Sequence, residues 1–204
     1  MQYALPVIIS YLLGSISFSF LIGKWYKKID IRKHGSGNAG ATNTLRVLGL
    51  GPALVVLALD IGKGILAVWI GRWFGGDELW IPVLSALAVI AGHNWPVFFG
   101  FRGGKGIATT IGVLATLCFL PALCAGIIAI LSIVFTRYVS LGSLLFVALT
   151  PLSLWLFDYP HEILWASLII CVFGIWRHKS NIRKLVRREE HKLSFRTKGK
   201  GETA

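Results

Sequence analysis

Apolar runs dominate the chain. Charged or glycine-rich clusters cut them into blocks over residues 3–23, 47–73, 79–92, 106–136, 138–157 and 162–176. A helix crossing a bilayer needs about 20 apolar residues, so most blocks predict one crossing each. Block 106–136 is 31 uncharged residues, too long for one crossing and tight for two. Charge asymmetry resolves it, because Lys and Arg concentrate in cytoplasmic loops. With the N-terminus outside and a turn near Leu120-Pro121, 19 of the 21 Lys+Arg fall on the cytoplasmic side. They lie in loops 24–46 and 93–105, at Arg137, and in the tail from Arg177. A single helix over 106–136 would place that tail, with ten cations, outside.

The expected fold is therefore all-α: a polytopic membrane protein with seven transmembrane helices, N-terminus outside and C-terminus cytoplasmic. Residues 1–190 form one membrane domain in this reading. Residues 191–204 read as a flexible basic tail whose end, Lys198–Ala204, looks appended. Three of the spans hold about 15 apolar residues, roughly 22 Å of helix, so the bilayer is expected to thin around them. Trp25, Trp80, Trp95, Trp155 and Trp176 stand near predicted span ends, as an aromatic belt would. Residues 1–23 carry no charge, so the basic start of a cleavable signal is missing and the first helix is expected to stay.

Composition agrees. The chain is 55% hydrophobic and 15% charged, where soluble domains carry about 25% charged residues. The net charge of +12 sits in short loops between apolar spans and on no single folded face, which argues against nucleic acid as a partner. Cys118, Cys124 and Cys171 lie in apolar stretches without metal-ligand spacing, so they read as packing residues and no metal site is expected.

Three polar segments break the apolar pattern, and the topology brings all three to one face. The first runs Gly35-Ser36-Gly37-Asn38-Ala39-Gly40-Ala41-Thr42-Asn43, with Arg46 after it. Its Gly35, Gly37 and Gly40, with Asp60 twenty residues on, match the spacing of a dinucleotide fingerprint. That match fails because no strand precedes it and Asp60 falls inside a span. The glycines still permit close backbone approach to a ligand, and Arg46 can grip a phosphate with two parallel bonds. A turn with helix caps is the plainer alternative.

The second segment holds His93 and Asn94 at a helix end and runs on to Gly103-Gly104-Lys105-Gly106, which opens the next helix. Helix N-termini bind anions. It is no nucleotide-binding loop of the Walker type, since Phe99 stands where glycine is needed and Gly106 replaces the Mg²⁺-binding hydroxyl. A basic flexible hairpin is its plainer alternative. The third segment is Arg177-His178-Lys179-Ser180-Asn181 with Arg183; a basic stop after a span explains its charge, but not the Ser180-Asn181 pair. Asp60 and Lys63 sit three apart inside a span, where ionisable residues suggest function or a mutually neutralised pair.

Taken together, these segments resemble the bacterial acyl-phosphate:glycerol-3-phosphate acyltransferase family. The resemblance rests on Ser36–Asn43 with Arg46, Gly92–Pro96 through Gly103–Gly106, and His178–Asn181 with Arg183. Leu59-Asp-Ile-Gly-Lys-Gly64 and Tyr138-Val-Ser-Leu-Gly-Ser143 also fit, and the likeness covers nearly the whole chain to about residue 190. It implies an enzyme of the bacterial plasma (inner) membrane that moves a fatty acyl group from acyl-phosphate to the 1-hydroxyl of glycerol 3-phosphate, giving lysophosphatidate and phosphate. No cofactor would be needed, and a soluble partner enzyme would supply the acyl-phosphate. By resemblance the catalytic residues are Ser36, Arg46, Lys105, His178 and Asn181. Substrate binding falls to Gly37, Asn38, Gly40, Thr42, Asn43, His93, Asn94, Gly103, Gly104, Gly106, Ser143, Ser180 and Arg183, with Asp60 and Lys63 in support. The H-x₄-D signature of many other glycerol-phosphate acyltransferases is absent: Ala39, Phe98, Ala166, Arg183 and Arg196 stand five places after the histidines.

Two other classes compete with the enzyme. A transporter for a phosphorylated solute would need polar residues near midplane, and the spans offer few beyond Asp60 and Lys63. A scaffold would bind anionic lipid through its basic tail.

Overall fold

The protein, described here as a computed structural model over residues 3–193, is all-helical, with no strand among the described residues. Ten α-helices follow in chain order: α1 (Ala4–Gly14), α2 (Phe18–Lys27), α3 (Ala41–Leu48), α4 (Leu50–Gly75), α5 (Trp80–Asn94), α6 (Ile107–Leu117), α7 (Phe119–Thr136), α8 (Val139–Leu156), α9 (His161–Arg177) and α10 (Lys179–Val186). Five helical stretches are long and apolar enough to cross a membrane: Ala4–Lys27, Leu50–Gly75, Trp80–Phe99, Phe119–Thr136 and Val139–Leu156.

Between bilayer-grade helices apolar surface gives no preference for a partner, so small residues that admit close backbone contact decide pairing. Here they act reciprocally. A side chain at Gly14 would strike the Val89 backbone, and one at Gly92 would strike Tyr11, which zips α1 against α5. Gly64 faces the Thr109 carbonyl and Gly112 faces the Ile61 carbonyl, which does the same for α4 and α6. These four helices make one packed group, and α7, α8 and α9 make a second. A continuous core cluster that includes Val89, Val113, Ala125, Val147 and Ile170 ties the two together.

Three boundaries differ from the sequence expectation. The first apolar block is two helices, broken at Ser15–Ser17. The break frees the carbonyls of Gly14 and Ile16, and the Lys63 ammonium takes both, at 3.1 and 3.0 Å. Block 106–136 divides in two as expected, but at Cys118 (φ −152°), two residues before Leu120. Pro121 instead sits in the first turn of α7, where its missing N–H costs no helical bond. The split is uneven: α6 has 11 residues and α7 has 18. Finally, α3 is a separate short helix, parted from α4 by Gly49 at φ 92°. The tail continues in order to Leu193, whose N–H donates to the Arg137 carbonyl at 2.7 Å. The remainder of the expected flexible tail, 194–204, lies outside the described residues.

Candidate active site

A cavity of about 910 Å³ opens between the two helix groups. Its walls are of two kinds. At one end stand Ser36, Gly37, Asn38, Gly40, Thr42, Asn43, Arg46, Gly103, Lys105, Gly106, Ser143, His178, Ser180 and Asn181. The other end is apolar: Leu54 and Leu57 of α4, Ile111 of α6, and Leu123, Ile127 and Ile130 of α7. All three polar segments therefore meet at the mouth of one greasy slot.

Each segment is shaped by its own bonds. Asn43, buried at the start of α3, donates to the carbonyls of Ile31 (3.1 Å) and His34 (3.0 Å) and accepts from the Ser36 N–H (2.8 Å). Its amide is occupied in holding the glycine loop, which leaves Ser36, Thr42 and Arg46 to face the cavity. Gly37 takes φ +72° there, a left-handed turn that favours glycine.

The second segment lies against the end of α5. The Gly104 N–H donates to the His93 carbonyl at 3.1 Å. A side chain on Gly104 would collide with His93 Nε2 and the Ala39 carbonyl, and one on Gly103 would strike the His93 carbonyl. Arg177 holds the same loop from the opposite side: Nε donates to the Gly104 carbonyl at 3.0 Å, and Nη2 donates to those of Gly103 (3.0 Å) and Gly104 (2.6 Å). The loop ends on Gly106, which caps α6 at φ +81°. Ile107 and Ala108, whose N–H groups open the helix without intrahelical partners, line the cavity.

At the third segment a hydrogen-bonded chain links four side chains. Lys105 Nζ donates to Asn181 Oδ1 at 2.5 Å, Asn181 Nδ2 donates to Glu190 Oε1 at 2.8 Å, and Ser140 Oγ donates to that same oxygen at 3.0 Å. Burial, with the cations of Arg46, Arg177 and Lys184 nearby, pushes the Lys105 pKa down to about 8, against an upward pull from Glu190. His178 is buried at the junction of α9 and α10. Its Nδ1 lies 2.8 Å from the Gly174 carbonyl, an acceptor, so Nδ1 carries the proton and Nε2 keeps a lone pair. Burial first, and the Lys105 charge next, lower its pKa to about 4, which keeps the imidazole neutral.

Asp60, Lys63 and His93 form a buried group behind the Gly104 loop. Asp60 Oδ1 is 2.8 Å from Lys63 Nζ and 3.4 Å from His93 Nδ1. Asp60 and His93 reach the cavity wall, whereas Lys63 turns to the α1–α2 break.

Three residues expected to touch substrate stand off the wall. Asn94 is buried behind Gly106, Gly104 faces His93, and Arg183 is exposed on α10. Conversely, Arg177, Ser140, Lys184 and Glu190 line the cavity without having been singled out as site residues. Glu190 had a signal available: it is half of an acidic pair inside an otherwise basic tail. Among the described residues no His, Cys, Asp and Glu side chains group as metal ligands would.

Lipid-length apolar walls meeting a pocket of cations, amides and free N–H groups define a membrane-embedded handler of phosphorylated amphiphiles. Comparison with known proteins narrows this class. Residues 4–188 match the family described as Glycerol-3-phosphate acyltransferase, and the chain belongs to that family. Glycerol-3-phosphate acyltransferase of Shouchella clausii (strain KSM-K16) is 58% identical over 192 residues, 92% of this chain and 94% of that protein. The protein of that name from Halalkalibacterium halodurans is 58% identical over 195 residues, covering 93% and 94%. Two crystal structures superpose closely. They are of PlsY (YgiH), an integral membrane glycerol 3-phosphate acyltransferase. Its glycerol 3-phosphate form gives a TM-score of 0.90 at 38% identity, covering 95% of this chain and 96% of that one. Its lysophosphatidic acid form gives 0.88 at 37%, covering 96% and 97%. The chain is thus an integral membrane acyltransferase.

Proposed function

We propose that this enzyme transfers a fatty acyl group from acyl-phosphate to the 1-hydroxyl of glycerol 3-phosphate at the cytoplasmic face of the bacterial plasma membrane. One observation carries the reading: Arg46, Lys105, Arg177 and the open N-terminus of α6 converge on the mouth of an apolar slot. A phosphate beside an acyl chain fits such a site, and the relatives' name supplies the acceptor. The topology expected from the sequence, seven crossings with the N-terminus outside, supports the cytoplasmic assignment, because it would put these cations where basic loops collect. Here α1 with α2 counts as one crossing, and the short α6 and α9 count as one each.

In the step proposed, the glycerol hydroxyl oxygen bonds to the acyl carbonyl carbon and the carbon–oxygen bond to phosphate breaks. Phosphate leaves with that electron pair, and the hydroxyl proton passes to a base. Lys105, Asn181 and the α6 N–H groups stabilise the charge that develops on the carbonyl oxygen and leaving phosphate. Ser36, Thr42 and Arg46 hold the acceptor's phosphate, with Ser143 and Ser180 at the wall, and Arg177 keeps the Gly103–Gly106 loop in place for both. Fixing two bound substrates side by side supplies much of the rate. An acyl-phosphate is already activated, so neither a covalent nucleophile nor a cofactor is called on.

The base is a phosphate oxygen of the substrate, with His178 orienting groups through Nε2. A histidine with a pKa near 4 is a weak base at neutral pH, whereas a phosphate ester's second pKa is about 6. The test is direct. Purified protein is given palmitoyl phosphate and glycerol 3-phosphate, without metal, nucleotide or coenzyme A, and lysophosphatidate and phosphate are measured. Equimolar formation supports the reading; product formed only from acyl-coenzyme A or an acylated carrier protein sinks it.

A further inference from the structure

The apolar end of the cavity has a graded shape. Along α7 the slot side carries the large residues Ile133, Ile130, Ile127, Leu123 and Phe119 with the small residues Ala129, Gly126 and Ala122 between them, and of these only Gly126 has no side chain. A side chain built there would enter nearly open space: the nearest atom is Phe146 Cε2, at 3.9 Å. Phe146 is also the last residue of α8 to touch the cavity, while α7 lines it on to Phe119 and α6 on to Ala115. The level of Gly126 and Phe146 is therefore where the lining of the slot changes. Above it α8 shares the wall, and below it α6 and α7 continue.

Helix geometry gives this level a scale. From Ile133 to Phe119 the slot follows fourteen residues of α7, about 21 Å at 1.5 Å each, with Gly126 halfway. An all-trans acyl chain advances about 1.25 Å per carbon, a 1.5 Å single bond projected on its axis. The level of Gly126 then lies about eight carbons in, and Phe119 about sixteen.

Resting on the acyl-donor reading, the geometry points to Gly126 as the residue that sets acyl-chain length: its missing side chain lets carbons beyond about the eighth pass into the distal half of the slot. Glycine in a helix interior costs stability relative to alanine, so Gly126→Ala and Gly126→Leu should fold at least as well as wild type.

The experiment compares kcat/KM for octanoyl and palmitoyl phosphate in wild type, Gly126→Ala and Gly126→Leu, with the KM for glycerol 3-phosphate alongside. Gly126→Leu should lower palmitoyl relative to octanoyl by about tenfold or more, the scale of discrimination an apolar pocket achieves. Gly126→Ala should fall between, and the acceptor KM should not move. Equal losses for both donors, or an unchanged ratio, overturn the assignment. A wild type inert to every acyl-phosphate would instead overturn the donor reading on which it stands.

Discussion

Glu190→Gln separates charge from shape at the site. The amide can keep both bonds that Glu190 Oε1 accepts, from Ser140 and Asn181, so the change removes a charge and little else. A single amide, that of Asn181, stands between the carboxylate and the Lys105 ammonium. The two charges are thus roughly 6–7 Å apart, an attraction of about 2.5 kcal/mol at an effective dielectric near 20. Water around half-exposed Glu190 reduces this to about half, near one pKa unit. Glu190 raises the Lys105 pKa, so its loss must lower it from about 8 toward about 7. The protonated ammonium is the form that grips phosphate, so activity is lost as pH rises through that value. The assay is kcat/KM for glycerol 3-phosphate against pH, read as variant over wild type to cancel the substrate's own titration. The ratio should be near one at pH 6 and about threefold lower at pH 7.5. Lys105→Arg, which does not titrate in this range, should abolish the alkaline limb. A Glu190→Gln limb that stays put, or moves to higher pH, refutes the reasoning.

Further changes probe other parts of the site. Gly104→Ala must displace His93 or the Ala39 backbone and so shift the phosphate loop; the KM for glycerol 3-phosphate should rise about tenfold or more with a smaller loss in kcat, and a pure kcat loss would count against it. His178→Gln keeps a polar side chain without a titratable base; with substrate phosphate as base, turnover stays within about tenfold of wild type and the pH profile keeps its shape, whereas a drop of about a hundredfold or more marks His178 as the base. Lys63→Met strands the buried Asp60 carboxylate and should destabilise the fold by about 3–5 kcal/mol, with Asp60→Asn in the same chain restoring much of it. Thermal unfolding in detergent reads this, and an unchanged midpoint for the single variant would show that the pair is not structural.

The sequence made the helical class and the site's three segments legible because both rest on strong contrasts: apolar blocks against cation clusters, and dense glycine and amide positions against plain loops. The positions of breaks within apolar runs were not legible. Cys118 is no intrinsic helix breaker, and a run with few polar positions gives little period to interrupt, so Pro121 attracted the turn that the chain makes three residues earlier. The break at Ser15–Ser17 depends on Lys63, 47 positions away along the chain from Ile16. The roles of Arg177 and Glu190 were hidden for a different reason. Charges beside a span are explained by topology, and only tertiary contact shows that Arg177 holds the Gly103 and Gly104 carbonyls and that Glu190 closes a chain to Lys105.

The most direct test of the central claim is a structure of this protein with glycerol 3-phosphate and a non-hydrolysable acyl-phosphate analogue bound together. The account predicts both phosphates within hydrogen-bond reach of Arg46, Lys105 or the first N–H groups of α6, and the acyl chain running along α7 past Gly126. Phosphate bound away from that mouth, or an acyl chain outside the slot, would contradict it.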